Sequence, residues 1–278
     1  MANYTTADIK ALRERTGAGM MDVKKALDEA NGDADKAMEI IRIKGLKGAT
    51  KREGRSAVEG LIAATVENGV GVMVEVNCET DFVAKADRFV AFADKVLKAA
   101  VESGATEVDA LLEVEVDGQK INDLLTEEGA VLGEKVAVRR VARVEGATVD
   151  AYLHKTSKDL PAQVGVLVAV DGEGERAFEA AHDVAVHTAA LAPTYLTRDD
   201  VPAEKVEDER RIADETARAE GKPEQALPKI VEGRMNGFFK ENVLVDQPFA
   251  KDPKQTVAQV FDAAGVKPVA FARFRVGA

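Results

Sequence analysis

Three short runs before residue 45 place apolar side chains at helical spacing. Thr5 or Thr6 is positioned to cap a first helix that carries Ile9 and Leu12 and ends at Thr16-Gly17-Ala18-Gly19. A second helix starts at Met20 or Met21, turns Val23, Ala26 and Leu27 inward, and stops at Asn31-Gly32. Asp33 then caps a third, with Ala37, Met38, Ile40 and Ile41 on its apolar side. So few short helices make a marginal core, the proportions of a binding module covering 1–45. Residues 46–60 scatter Gly48, Gly54 and Gly60 among charges and read as a basic linker.

Past residue 60 the period changes from helical to strand-like. Leu61–Val66 and Gly71–Val76 flank Asn68-Gly69, the strongest short hairpin signal. An amphipathic helix follows, with Phe89, Phe92, Ala93, Val96 and Ala100 on one face. The plan then returns. Gly165–Val170 repeats Gly71–Val76 at an offset of 94, and Phe178-Glu179-Ala180 with Asp183 repeats Phe89-Val90-Ala91 with Asp94 at an offset of 89. The alternating runs Val136–Val144 and Val269–Val276, each with arginines on one side, also resemble each other. The pattern predicts an α+β fold with a duplicated antiparallel core, the repeats spanning 61–145 and 146–278. The offsets place five extra residues in the first copy's strand-to-helix connection, within Asn77–Lys85. Phe82 lies in this insertion, and connections between rigid elements tend to carry function. Between about 200 and 240, two highly charged helical arms, Ala203–Glu220 and Ala226–Phe239, meet at Gly221-Lys222-Pro223 and predict a projecting helical hairpin; Pro228 weakens the start of its second arm.

Composition narrows the classes. No apolar run approaches the roughly 18 residues of a membrane helix, and the N-terminal residues lack the order of a signal peptide, so the reading is cytoplasmic, with no membrane partner. Cys78 is the only cysteine, which excludes an internal disulfide and a thiolate metal cluster. The net charge of −11 disfavours nucleic acid as a direct partner. Residues 1–55 nonetheless carry 12 Lys/Arg against nine Asp/Glu. The cluster from Arg42 to Arg55 is either a solvated linker or a patch for an acidic partner or RNA, and the lack of interleaved aromatics favours the linker.

The residues assemble no catalytic constellation. His154, His182 and His187 are the only histidines, and five helical residues turn His182 and His187 about 140° apart, so they make no zinc pair. No phosphate-binding glycine loop is present, and no nucleophile elbow. The chain reads as a non-enzyme with no cofactor and no metal.

The segments Leu12–Asp22 and Cys78-Glu79-Thr80-Asp81-Phe82-Val83-Ala84, followed in order by Gly221-Lys222-Pro223, Ile230–Met235 and Gln247-Pro248-Phe249, closely resemble the elongation factor Ts family. The resemblance runs from residue 4 to the last strand. It implies a ubiquitin-associated-like N-terminal domain, a duplicated α+β core and a protruding helical coiled coil. It also implies a guanine-nucleotide exchange factor whose partner is the GTPase elongation factor Tu. Thr80, Asp81, Phe82 and Val83 would then disturb the partner's magnesium site. Leu12, Met20 and Met21 would dock the N-terminal unit, and His154 in the second repeat would meet the partner's C-terminal region. Lys155–Gln163 replaces the Gly-Gly-Arg-type turn that often follows this histidine in the family. By periodicity alone Phe82, seven residues before Phe89, joins its buried stripe; the insertion and the motif argue that it is exposed. Of Met20 and Met21, one is expected to face inward and one outward. The competing reading from another class is a binding hub that uses the three-helix unit to hold other proteins.

Overall fold

The reciprocal bonds that begin the first helix are local and short. In this computed structural model, which describes every residue except Met1, Ala2, Gly17 and Glu53, the Asp8 carboxylate accepts from the Thr5 amide at 2.6 Å, and Thr5 Oγ1 accepts from the Asp8 amide at 3.3 Å. Helix α1 (Thr6–Thr16) follows. Helix α2 (Met20–Glu29) buries Val23, Ala26 and Leu27 and ends at Asn31 and Gly32, both at positive φ. Asp33 Oδ1 accepts the Asp35 and Lys36 amides at 3.1 Å and starts α3 (Ala34–Arg52). Leu12, Val23, Ala26, Leu27, Ala37 and Ile41 form the small core of these three helices.

The expected linker over 46–60 is corrected in its first half, because α3 continues to Arg52. Each glycine costs a helix only about 1 kcal/mol, and a helix already nucleated extends by one hydrogen bond per residue. The three helices are also not tethered loosely. Helix α3 lies against α7 (Ile121–Leu132). Arg42 pairs with Glu127, and Arg88 binds Glu128 at 2.7 Å and the Arg15 carbonyl at 3.3 Å.

The core is two three-stranded antiparallel sheets. In the first, β1 (Glu59–Glu67) and β2 (Val70–Cys78) form the hairpin across Asn68-Gly69, whose φ values of 51° and 76° are those of a type I′ turn. Helices α4 (Asp81–Ala84), α5 (Asp87–Ser103) and α6 (Val108–Leu112), the small ribbon β3–β4 (Glu115–Val116, Gln119–Lys120) and α7 precede β5 (Ala137–Glu145), which pairs with β2. In the second, β6 (Thr148–His154) pairs with β7 (Val164–Val170), and α8 (Glu175–Leu191) follows. After α9 (Ala203–Ala219), α10 (Leu227–Asn242), β8 (Pro248–Phe249), β9 (Asp252–Thr256) and α11 (Val257–Ala264), strand β10 (Pro268–Arg275) pairs with β7. The orders β1–β2–β5 and β6–β7–β10 are the same plan twice.

The sheets face each other through Ile62, Met73, Val144, Val149, Leu167 and Phe274. Here the repeat imposes a reciprocal fit. A Cβ on Gly71 would meet Val149 and Leu167, and a Cβ on Gly165 would meet Ile62 and Met73. Since Gly71 matches Gly165 and Met73 matches Leu167 at the offset of 94, each sheet's large residue lies over the other's glycine. The outer faces pack on helices, α5 to α7 for the first sheet and α8 with α11 for the second. Glu75, fully buried between the sheets, accepts from Arg140 Nε at 2.6 Å, Asn77 Nδ2 at 3.1 Å and the Gly277 amide at 3.1 Å, which ties the last residues to the first repeat.

The helical offset of 89 is corrected to 88. Helix α5 buries Phe89, Phe92, Ala93, Val96, Leu97, Ala99 and Ala100, and α8 buries Ala177, Ala180, Ala181, Val184, Ala185, His187 and Thr188, the same pattern shifted by 88. Burial decides which residues are equivalent, and the single matched phenylalanine had misled by one position. The insertion in the first copy is therefore six residues.

Helices α9 and α10 form the projecting hairpin, packed on each other through Ala213, Val231 and Met235 with Val206 and Phe238 beside them. Pro228 sits at the start of α10, where its missing N–H has no helical acceptor to lose. The hairpin joins the core at its base, where the Thr194 and Tyr195 amides donate to the Asn242 carbonyl and Arg198 pairs with Asp246.

Candidate functional site

Strand β2 ends at Cys78, and the inserted residues begin at once. Thr80 caps the single turn of α4, its Oγ1 accepting from the Val83 amide at 3.4 Å. One carboxylate holds this cap from outside: Glu134 accepts from the Glu79 and Thr80 amides at 3.0 Å each and from Thr80 Oγ1 at 2.6 Å. The clasp is mutual, since Glu79 Oε1 accepts the Lys135 amide at 2.6 Å while Arg55 approaches its carboxylate at 3.3 Å. Beneath it, Cys78 donates to the Thr80 carbonyl at 3.2 Å. Burial, reinforced by the Glu134 charge, pushes its thiol up to about 12, so it is an unreactive packing group at neutral pH.

Within α4, Ala84 is fully buried, Val83 packs against the first-repeat core and Asp81 is half-buried. Phe82 points the other way and is 73% exposed, with Lys85 Nζ 4.8 Å from its ring centroid. The helix breaks over Lys85-Ala86 before α5 starts. That break takes Phe82 off the stripe to which Phe89 belongs. An exposed aromatic on a turn clasped by these hydrogen bonds is a preorganised contact group, with little ordering left to be done on binding.

The other expected site residues stand elsewhere on the fold. Met20 and Met21 lie in the first turn of α2 and are both exposed, at 59% and 63%. The expectation that one faces inward is corrected: the inward positions on either side of them are Ala18 and Val23, which lie in the three-helix core. Leu12 is buried in the three-helix core, so its side chain orders the helices and offers no surface. His154 ends β6 in an exposed position, its Nδ1 3.1 Å from the Tyr152 hydroxyl. Lys155–Gln163 follows as a loop that is anchored at its far end. Gln163 donates through its amide to the His154 carbonyl at 3.0 Å and through Nε2 to the Gly60 carbonyl at 2.8 Å.

Among the described residues, no group of three or more His, Cys, Asp or Glu is placed to hold a metal ion. No helix of the described residues is long and apolar enough to cross a membrane. His182 is exposed and bonds the buried Asp150 at 3.1 Å, while His187 is buried with its two nitrogens facing Gln247 and the Ala250 amide, so the pair is divided as the helical angle requires.

The model of the family described as elongation factor TS matches residues 79–278, beginning at the clasp. Elongation factor Ts of Micrococcus luteus is 79% identical over 277 residues, and that of Renibacterium salmoninarum 78% over 278, each covering all of both chains. Elongation factor Ts of Kineococcus radiotolerans is 58% identical, again over the full length of both. The chain belongs to the elongation factor Ts family. The α+β fold and the sequence motifs agree with that membership. Sequence reasoning missed Glu134 as the residue that fixes α4, and Arg88 as the one that joins α1 to α5 and α7. Glu134 lies 54 residues from Thr80, and neither spacing nor residue type signals such a pairing.

Proposed function

We propose that the chain is a guanine-nucleotide exchange factor that acts on elongation factor Tu during translation elongation in the cytoplasm. It catalyses no bond chemistry of its own and uses no cofactor. The observation that carries this reading is Phe82, held outward on a clasped turn at the start of the segment that the family model matches. In this reading Thr80, Asp81, Phe82 and Val83 are the surface that disturbs the GTPase's magnesium and phosphate site. Phe82 is the intruding group, and Thr80 and Val83 keep it in place. Residues 1–45 act as a docking unit through Met20 and Met21, and His154 is the contact of the second repeat. Neither nucleic acid nor a membrane takes part directly.

Linkage sets the requirement. A factor displaces GDP only if it binds the nucleotide-free GTPase more tightly than the nucleotide-bound one. Moving a population from 1:99 to 99:1 takes roughly 5.5 kcal/mol of differential affinity. One phenylalanine contributes about 1.5–3 kcal/mol when fully buried. Several separate contacts must therefore act together, which fits exposed groups on three parts of the molecule. The test is release of labelled GDP from purified elongation factor Tu with and without this chain. A catalytic increase supports exchange, and binding without acceleration supports a hub instead.

A further inference from the structure

The sequence sets arginines into the alternating pattern of both β5 and β10, and the proposed function uses none of them. The structure gathers three of them where these two edge strands meet. A bulge at Arg139 turns Arg140 to the side of Glu75. The Arg140 guanidinium lies 4.6 Å from the Phe274 ring centroid and donates through Nη2 to the Arg275 carbonyl at 2.7 Å. Arg273 and Arg275, two residues apart, share one face of β10 about 7 Å from each other. Arg273 is half-buried, and its only acceptor is neutral: the Ala189 carbonyl in the last turn of α8, at 3.1 Å. Arg275 is exposed, and its side chain makes no hydrogen bond or ion pair with any described residue. The charges are therefore unbalanced. Glu75 is the one carboxylate bonded to any of the three, among the described residues. Burial lowers the pKa of Arg273 from its ordinary value, and the charges of Arg275 and Arg140 lower it further. Other arginines of this chain have carboxylates of their own, Arg143 with Glu145 at 2.9 Å and Arg218 with Asp214 at 2.7 Å. With 49 Asp and Glu against 38 Lys and Arg, acidic residues are not scarce. Like charges held together against the stability of the fold mark a site suited to an anion.

We propose that Arg140, Arg273 and Arg275 form a binding site for a phosphate-class anion at the junction of β5 and β10. Guanidinium groups present paired donors that match the oxygens of a phosphate. Two of the three are already oriented: Arg140 by Glu75, Phe274 and the Arg275 carbonyl, and Arg273 by Ala189. The unpartnered fork of Arg275 completes the site. A bound anion supplies the negative charge that the junction lacks and ties the edge strands of the two sheets together. Inorganic phosphate, pyrophosphate and the phosphate chain of a nucleotide present the same oxygens, and the site reads that shared chemistry. This inference stands independently of nucleotide exchange on the partner.

Melting temperatures of the full chain test it. In chloride buffer, Arg275→Ala should be as stable as the parent or more so, because a repelled charge is gone. Millimolar pyrophosphate, compared with sodium chloride at equal ionic strength, should raise the parent's melting temperature by about 2 °C or more and leave that of Arg275→Ala unmoved. Lys254→Ala removes an exposed charge on β9, outside the cluster, and should keep the parent's response. Phosphate and GDP in place of pyrophosphate distinguish the sources: a rise with GDP admits nucleotides, and a rise with the inorganic anions alone assigns the site to free phosphate. Equal rises in the parent and Arg275→Ala would reduce the effect to the general exclusion of such anions from protein surfaces and overturn the proposal, as would no rise in either. A lower melting temperature for Arg275→Ala in chloride would also overturn it, by giving that side chain a structural role.

Discussion

The Phe82 ring stands in solvent beside the Lys85 ammonium, so truncating it removes little from the fold. Phe82→Ala should leave the melting temperature within about 1 °C of the parent, since exposed positions usually shift stability by less than 0.5 kcal/mol. Stimulated GDP release should slow by roughly tenfold to a hundredfold, the equivalent of one buried aromatic. A large fall in melting temperature with normal exchange by the folded fraction would mean that the ring packs internally. His187 makes the opposite kind of prediction. Its Nδ1 accepts from Ala250 and its Nε2 faces Gln247, an arrangement only the neutral ring satisfies, and burial holds its pKa below the ordinary 6.5. A folded value below the unfolded one favours the fold when the ring is neutral. That stability is present above pH 6.5 and is lost as the pH falls through the depressed value. Melting temperatures of the parent should therefore fall more steeply below pH 6.5 than those of His187→Gln; parallel curves would contradict the account.

At the scale of elements, the three N-terminal helices are joined to the first repeat where Arg88 spans α5, α7 and the carbonyl end of α1. Arg88→Ala should free the unit without unfolding the sheets. Hydrogen exchange should rise across α1 to α3 and stay unchanged in β2 and β7, while binding to the GTPase weakens several-fold. Unchanged protection would show that the α3–α7 packing suffices alone. Much at this scale was legible in the sequence. Local chemistry announces itself, so the Asp33 cap, the Asn68-Gly69 turn, the α5 stripe and the Gly221-Lys222-Pro223 bend all appear where residue type and period place them. The continuation of α3 was hidden, because glycine content is a weak argument against a helix supported by packing. The Glu79–Glu134 clasp was hidden for a different reason: two carboxylates taking backbone amides leave no trace in spacing.

The whole molecule depends on two sheets meeting through paired glycines. A Cβ at Gly165 would lie 2.4 Å from Ile62 Cγ2 and 2.6 Å from Met73 Sδ, contacts that require these side chains or the sheets to shift. Gly165→Ala should destabilise by about 1–3 kcal/mol, the usual cost of overpacking, read as a lower denaturant midpoint at unchanged slope. A neutral result would mean that the interface is looser than its close approach indicates. The central claim is that this chain drives nucleotide exchange by preferring one state of its partner. If the chain lowers the GTPase's affinity for magnesium–GDP by some factor, then magnesium–GDP must lower the GTPase's affinity for the chain by the same factor. Titrating the chain into nucleotide-free and into GDP-saturated elongation factor Tu measures both affinities directly. The account predicts much tighter binding to the nucleotide-free form, by a ratio that magnesium widens and that Phe82→Ala narrows. Equal affinities in the two states would contradict it, because a factor that binds both alike cannot release GDP.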